Sequence, residues 1–206
     1  MLPLLEVQNL SHSFEYNLFS DINFTLKPKE SISIVGVSGS GKSTLLHICA
    51  TLLKPDSGQV ALFGKDLYKQ KNRDILKMRR EDVGIIFQSH YLFKGFNAFE
   101  NIELATLLND TKIDDDLMKK LGISNLLKQK VGELSGGQQQ RISIARVLSK
   151  KPKIIFADEP TGNLDAKTAS EVMDTLFEYV EQNSAALLLV THDNDLANRT
   201  NIKCNL

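Results

Sequence analysis

Short apolar runs, many of them rich in β-branched residues, recur along the chain and predict strands at 5–10, 22–26, 31–36, 59–63, 83–88, 153–157 and 186–191. Several of these runs are continuously apolar, as at 32–35, which is typical of strands buried on both faces of a parallel sheet. The N-terminal runs flank a turn around Pro28 and look antiparallel. We therefore expect a mostly parallel core sheet with an antiparallel β flap.

Segments with helical periodicity lie at 43–53, 99–108, 114–121 and 137–148. Strand signals disappear between residues 99 and 150, although no Pro/Gly/Ser-rich linker marks the change. This shift predicts a helical subdomain at about 95–150, inserted into a core formed by 1–88 and 153–206. All 206 residues then belong to a single α/β domain.

Composition narrows the class of protein. Apolar residues make up 42%, and 25 basic side chains balance 25 acidic ones, so the basic excess of a general nucleic-acid binder is missing. The two cysteines, Cys49 and Cys204, lack metal-ligand spacing, and Cys49 is interpreted as a core residue rather than a reactive thiol. No apolar run approaches the roughly 18 residues of a membrane span, so we expect any membrane association to go through a partner.

Eight residues between a predicted strand and a predicted helix match the pattern GxxxxGK[ST] without a mismatch: Gly36, Val37, Ser38, Gly39, Ser40, Gly41, Lys42 and Ser43. Glycines let backbone N–H groups turn toward phosphate oxygens. Lys42 can reach the terminal phosphates, the Ser43 hydroxyl can ligate magnesium, and Thr44 can donate to an inner phosphate. The alternative is a plain Gly/Ser turn, but the strand before and the helix after favour a P-loop NTPase.

Polar side chains follow three of the apolar strands. Asp158 and Glu159 end one of them, where Asp158 can hold magnesium or its water and Glu159 can act as general base toward an attacking water. Gln88 can touch both the magnesium and that water, and His192 can contact the γ-phosphate. Each residue alone could be structural, but open α/β sheets bind ligands along the carboxyl edge of their strands. We therefore predict Glu159, His192, Gln88 and Lys42 as catalytic residues, and Ser43, Gln88 and Asp158 as metal ligands.

A second glycine-rich helix start lies about a hundred residues after the first. It consists of Leu134, Ser135, Gly136, Gly137 and Gln138. A helix N-terminus suits an anion because its N–H donors are free and its dipole is positive there. One nucleotide needs only one such anion-binding helix start. We therefore expect the second helix start to have a different partner.

Taken in order, these motifs resemble those of the ATP-binding subunits of ABC transporters over essentially the whole chain. The resemblance implies the following correspondences: 36–43 with the Walker A loop, 154–159 with Walker B, Gln88 with the Q-loop, 134–138 with the signature motif, 163–165 with the D-loop and His192 with the switch histidine. It also implies that Phe14 stacks on adenine, with Tyr16 as the alternative.

The resemblance implies an ATP-dependent, head-to-tail homodimer that uses ATP and Mg²⁺. Each ATP would lie between the P-loop of one copy and residues supplied in trans by the other copy, namely Ser135, Gly136, Gly137, Gln138 and Asp165. The further partners would be integral-membrane permease subunits, whose coupling helix docks near Gln88 and the helical subdomain. The chain would then sit peripherally on the cytoplasmic face of a bacterial inner membrane, with no nucleic acid as partner.

Segments 88–101 and 160–165 resemble those of the lipoprotein-releasing LolD group, while MacB-like export and FtsE-like cell division remain alternatives. A non-transport ABC ATPase of DNA repair or translation is a more distant alternative, disfavoured by the neutral charge and the absence of heptad runs. A short loop at 109–114 predicts a trimmed helical subdomain. Family members usually continue through a further turn and helix after a strand like that at 202–206.

Overall fold

A computed structural model describes residues 2–206. Its strands are β1 (Leu5–Ser13), β2 (Asn17–Leu26), β3 (Ser31–Val35), β4 (Ser57–Leu62), β5 (Lys65–Asp66), β6 (Val83–Ile86), β7 (Ile154–Asp158), β8 (Ala186–Val190) and β9 (Ile202–Asn205). Its α-helices are α1 (Lys42–Cys49), α2 (Asn72–Glu81), α3 (Ala98–Asn109), α4 (Asp115–Lys120), α5 (Gly136–Ser149), α6 (Ala166–Gln182) and α7 (Asn194–Ala197).

The core sheet has the strand order β6-β7-β8-β3-β9, and every pairing in it is parallel. All residues of β3, β7 and β8 are buried. Because side chains alternate between the faces of a strand, Phe156 joins one hydrophobic cluster while its neighbour Ile155 joins the other. Helices cover both faces of this sheet, which explains the continuous apolar runs and confirms the predicted parallel core.

A second sheet, with the order β2-β1-β4-β5, is antiparallel throughout and confirms the predicted β flap. The turn around Pro28 was wrongly expected to join antiparallel strands, since it connects β2 to β3 of the parallel sheet, and the antiparallel pair β1 and β2 is joined at residues 14–16. The strands β1 and β2 extend further toward their shared turn than the apolar runs indicated. Their pairing continues through His12 opposite Phe19 to Ser13 opposite Asn17. The sequence pattern stopped earlier because bulges near residues 7–13 interrupt the alternation.

The predicted helix at 43–53 was too long. In the structure α1 ends at Cys49, and Thr51 adopts a left-handed backbone conformation with φ of 69°. A left-handed residue cannot continue an α-helix, so the chain turns before Leu52. Cys49 is fully buried, as predicted, and burial raises the pKa of its thiol.

Three further helices, α2, α6 and α7, were not predicted. The helix α2 is highly charged, and Met78 is its single buried residue. The sequence therefore lacks the apolar stripe from which a helix can be predicted. The longest helix, α6, does carry one: Val172, Met173, Leu176 and Val180 are buried at helical spacing. This helical periodicity is visible in the sequence, so α6 could have been predicted from it.

The predicted helices between residues 98 and 149 are present as α3, α4 and α5, and each begins at a side-chain cap: Asn97, Asp114 and Ser135. Their buried apolar residues belong to the cluster on the Ile155 face of the core sheet. The boundaries of a separate subdomain stay a prediction. Within residues 2–206, no helix combines the length and the apolar character needed to cross a membrane.

Candidate functional site

The loop between β3 and α1 follows a path that requires glycine at several points. Gly39 and Gly41 have positive φ angles of 80° and 92°, which L-residues rarely adopt. A Cβ at Gly36 would lie 2.5 Å from the carbonyl oxygen of Leu206 and 2.8 Å from Ser40 Oγ. Gly41 is the N-cap of α1 and supplies no side-chain cap, so the first N–H groups of this helix face the loop unsatisfied.

Lys42 lies inside this loop. Its Nζ donates to the carbonyl oxygens of Gly36, at 2.9 Å, and Val37, at 2.8 Å. The Ser40 hydroxyl is buried without a hydrogen-bond partner. Free helix donors, an ammonium group and an unpartnered hydroxyl are a donor set that fits the phosphates of a nucleotide.

Ser43 and Asp158 meet at the next step along the cleft, where the Ser43 hydroxyl donates to Asp158 Oδ1 at 3.1 Å. Asp158 ends β7 and is only 8% exposed, whereas Ser43 is the second residue of α1 and is exposed. A hydroxyl and a carboxylate are the oxygen ligands that magnesium prefers. Their adjacency shows that these residues fit the cation.

Glu159 and His192 form a second pair at the same edge of the sheet. His192 Nδ1 lies 2.8 Å from Glu159 Oε1, the Glu159 side chain is largely buried, and the histidine is mostly exposed. Glu159 has a left-handed φ of 46°, and its N–H donates to the carbonyl oxygen of Val190 at 2.9 Å. The tight turn after β7 therefore fixes the carboxylate, and strained backbone of this kind is common at functional sites.

These residues line one cleft of about 540 Å³, formed by Phe14, Tyr16, Leu18, Gly36, Ser38, Gly39, Gly41, Lys42, Ser43, Thr44, Gln88, Asp158, Glu159, Val190 and His192. Most of the residues predicted as catalytic or nucleotide-binding are thus brought together. Val37 is 76% exposed and lies outside the lining, as does the buried Ser40 hydroxyl. Leu18 lines the cleft but was not predicted, because β2 was not expected to extend that far.

Two aromatic residues share the outer wall of the cleft. Phe14 is 64% exposed and Tyr16 is 63% exposed, and the Phe14 N–H donates to the Tyr16 carbonyl oxygen at 3.1 Å. Both rings are available to a planar base. Gln88 follows β6 and Phe87, and it is an exposed residue that also lines the cleft.

The second glycine-rich helix start has a different geometry. Ser135 is the N-cap of α5, and it forms a reciprocal capping box with Gln138, with donor–acceptor distances of 2.8 and 3.3 Å. A Cβ at Gly137 would lie 3.0 Å from Leu164 Cδ2 and 3.2 Å from the Asn163 carbonyl oxygen. Within residues 2–206, none of residues 134–138 lines the cleft described above.

Asp165 also lies outside that cleft, where it caps α6. Its two carboxylate oxygens accept from the Thr168 N–H at 3.0 Å and from the Thr168 hydroxyl at 2.6 Å. These hydrogen bonds hold the pKa of the Asp165 carboxyl below its usual range, and the bond from the Thr168 hydroxyl has the largest effect. The residues predicted to act in trans are therefore not brought to the P-loop within one chain.

Residues 19–162 match the family described as ABC transporter. The lipoprotein-releasing system ATP-binding protein LolD of Geobacter metallireducens is 40% identical, over 96% of this chain and 92% of that protein. LolD of Shewanella oneidensis is 41% identical, over 95% of this chain and 90% of that protein. A dimeric post-hydrolysis structure of the ATP-binding cassette MJ0796, bound to ADP and Pi, superimposes with a TM-score of 0.89 and 31% identity, covering 98% and 94% of the two chains.

A second structural neighbour is cbiO1 from Clostridium perfringens, described as part of the ABC transporter complex cbiONQ. It superimposes with a TM-score of 0.80 and 30% identity, covering 94% of this chain and 80% of that one. The chain therefore belongs to the ABC transporter family, as an ATP-binding subunit with the fold of a P-loop NTPase. It is an enzyme that binds and hydrolyses ATP.

Proposed function

We propose that this chain is the ATPase subunit of a complex that releases lipoproteins from the bacterial inner membrane. The relatives quoted above carry that activity in their names at 40–41% identity over nearly their whole length. The single observation that carries the catalytic part is the cleft, which joins the P-loop, the Ser43–Asp158 contact and the Glu159–His192 pair.

In this proposal the phosphates of ATP lie along the first turn of α1, where Lys42 leaves the Gly36 and Val37 carbonyl oxygens for the terminal phosphates. Ser43, Asp158 and Gln88 would hold Mg²⁺, and Thr44 would donate to an inner phosphate. The bound magnesium neutralises charge on the phosphate oxygens. Phe14 would stack on adenine, and Tyr16 is the alternative on the same wall.

Glu159 is the proposed general base. Its carboxylate would accept a proton from water as that water attacks the γ-phosphorus, with ADP as the leaving group. His192 is 2.8 Å from Glu159 Oε1 and exposed on the cleft side, so it can hold the carboxylate in position and contact the γ-phosphate at once. Both roles need fixed geometry, which the turn after β7 supplies.

The residues at the start of α5, together with Asp165, would complete the site in a head-to-tail dimer. The support is geometric: within residues 2–206, no part of 134–138 lines the cleft, so these residues are free to meet a nucleotide held elsewhere. ATP would then join two copies, and hydrolysis would release them, which converts a chemical step into a motion.

We propose that the dimer transmits this motion to permease subunits. The residues at 95–150 would act as the helical subdomain, and permease contact would hold the chain at the cytoplasmic face of the inner membrane. Lipoprotein release is favoured over MacB-like export and FtsE-like division because the quoted relatives are named for it.

The experiment is replacement of the chromosomal copy by a tagged version, followed by purification from membranes and fractionation of lipoproteins. We expect integral-membrane subunits to copurify and lipoproteins to accumulate in the inner membrane when the chain is depleted. Expression of Glu159→Gln should reproduce the depletion, whereas the matched change Glu171→Gln on α6 should not. Normal lipoprotein sorting in depleted cells would refute the proposal, even if the purified chain hydrolyses ATP.

A further inference from the structure

His12 is a buried histidine at the end of β1, close to the nucleotide cleft. It is 5% exposed, and neither of its ring nitrogens has a hydrogen-bond partner. Buried polar atoms are normally satisfied, so an imidazole in this state calls for an explanation. Its nearest charged group is Asp56, whose Oδ1 lies 3.4 Å from His12 Nδ1.

The His12 ring lies between two phenylalanine rings. The Phe14 ring meets it edge to face, with centroids 4.9 Å apart and planes at 85°. The Phe19 ring is tilted relative to it, with centroids 6.4 Å apart and planes at 37°. Phe14 is exposed in the cleft, whereas Phe19 is 5% exposed and pairs with His12 across the strands.

Phe19 in turn packs against the phosphate loop. A Cβ placed on Gly41 would lie 3.1 Å from Phe19 Cδ1, so the ring occupies the space directly beside the N-cap of α1. A continuous series of contacts therefore runs from Phe14 through His12 and Phe19 to Gly41. This series links the wall of the cleft that would face the base to the loop that would hold the phosphates.

Asp56 is tied to β1 on both sides of His12. Its Oδ2 accepts from the Ser13 N–H at 2.7 Å, and its own N–H donates to the Ser11 carbonyl oxygen at 3.2 Å. The carboxylate is thus fixed by backbone, and its free oxygen faces the imidazole. Since the Asp56 side chain is 54% exposed, this contact adds little stability.

We propose that His12 is a positioning residue for nucleotide binding, which holds the Phe14 ring against the base and keeps it in register with the phosphate loop. The inference rests on the proposed stacking of Phe14 on adenine. Because the Phe14 ring packs against His12, it loses less freedom when a base stacks on it, so the support contributes affinity for the base and none for the phosphates.

The test compares binding of ADP and of inorganic pyrophosphate, each with Mg²⁺, by calorimetry on the full chain. We expect Phe14→Ala to weaken ADP binding about tenfold, the usual effect of removing a stacking ring. His12→Ala should weaken it about three- to tenfold, the range that an edge-to-face aromatic pair provides. Neither change should alter pyrophosphate binding, and the double variant should lose no more than Phe14→Ala alone.

Two controls separate positioning from general destabilisation. His12→Phe keeps a ring between Phe14 and Phe19 and should restore ADP affinity to within about twofold of the wild type. Val7→Ala removes buried packing from the same strand and should lower the melting temperature without changing the ratio of the two affinities.

Equal losses of ADP and pyrophosphate affinity in His12→Ala would overturn the inference, as would an unchanged ADP affinity in that variant. Additive losses in the double variant would also overturn it, because His12 would then act independently of Phe14. If Phe14→Ala has no effect and Tyr16→Ala weakens ADP binding, the proposed stacking residue is wrong, and the inference about His12 falls with it. The first three results leave the proposed function standing.

Discussion

The two glycine-rich helix starts of this chain are built differently. At α1 the N-cap is Gly41, which has a φ of 92° and no side chain to offer the helix. At α5 the N-cap is Ser135, and its capping box with Gln138 satisfies both partners. The first start opens into a cleft lined by Asp158, Glu159 and His192, whereas the second lies outside that cleft.

The difference explains how two similar sequence patterns can have different roles, one in the single chain and the other in the proposed dimer. An uncapped helix start leaves its N–H donors for a ligand, so α1 is ready to bind phosphate in an isolated chain. A capped start is stable without a ligand, which fits the proposal that α5 meets a nucleotide held by another copy.

Glu159→Gln tests whether the α1 side contains the chemistry. We expect ATP turnover to fall about a hundredfold to ten-thousandfold, the range for loss of a general base, because the amide cannot accept the proton from water. ATP binding should persist, and size-exclusion chromatography in ATP should show an accumulated dimer. Phosphate release assays measure the turnover, with Glu171→Gln as an isosteric control on the exposed face of α6. Normal turnover in Glu159→Gln would remove this residue from the role of base.

Ser135→Arg tests whether the α5 side serves another copy. The arginine would fill the space that a second nucleotide site needs, so we expect hydrolysis by the dimer to fall about a hundredfold, as when one preorganised donor is lost. Because residues 134–138 lie outside the cleft of their own chain, ADP affinity of the isolated chain should stay within about twofold of wild type.

The matched control is Ser124→Arg, an equally large change at an exposed serine in the same helical region. Mixing Ser135→Arg with Glu159→Gln chains should restore part of the activity, because one of the two sites in a mixed dimer is then intact. A lost ADP affinity in Ser135→Arg alone would contradict the shared site.

Gly41→Ala and Gly136→Ala form a matched pair of substitutions at the two helix starts. At Gly41 the added Cβ meets Leu18 and Phe19 at 3.1 Å, and the backbone is left-handed; at Gly136 no atom lies within 4 Å. We expect Gly41→Ala to weaken ADP binding about tenfold, since the strain distorts the loop, and Gly136→Ala to leave it unchanged. Calorimetry on isolated chains measures both. Equal losses of ADP affinity would show that the two helix starts do not differ in the isolated chain.

Thr168→Val addresses a third helix start, that of α6, where the cap is a carboxylate. The lowered pKa of Asp165 means that its contribution to stability is complete above the carboxyl pKa of the unfolded chain, and is lost as the pH falls through the lowered value. Thr168→Val removes the hydroxyl that lowers this pKa, so it should destabilise the chain slightly at pH 7 and hardly at all at acid pH.

Urea unfolding at several pH values measures this difference. Thr175→Val on the same helix is the control, because its hydroxyl donates to the Glu171 carbonyl oxygen and the penalty should not depend on pH. A pH-independent penalty in Thr168→Val would contradict the assignment of Asp165 as a titrating cap.

Much of the fold could be predicted because its strands are buried on both faces. Continuous apolar runs gave β3, β7 and β8 to within one residue at each end, and the glycine pattern placed the P-loop between β3 and α1. The charged α2 could not be found in this way, since its single buried residue leaves no stripe to detect. The full length of β1 and β2 could not be predicted, because bulges interrupt the alternation of side chains. Bulges depend on how the strands pair rather than on local composition.

The family, the parallel core and most of the residues that line the cleft can be inferred from the chain alone, because each is encoded in a short contiguous pattern of glycines, carboxylates or apolar residues. Folding settles which of the two glycine-rich helix starts opens into the cleft of its own chain. It also places His12 between Phe14 and Phe19, and Phe19 beside Gly41. These contacts join segments that are separate in the sequence, and they depend on register and packing, which no local pattern specifies.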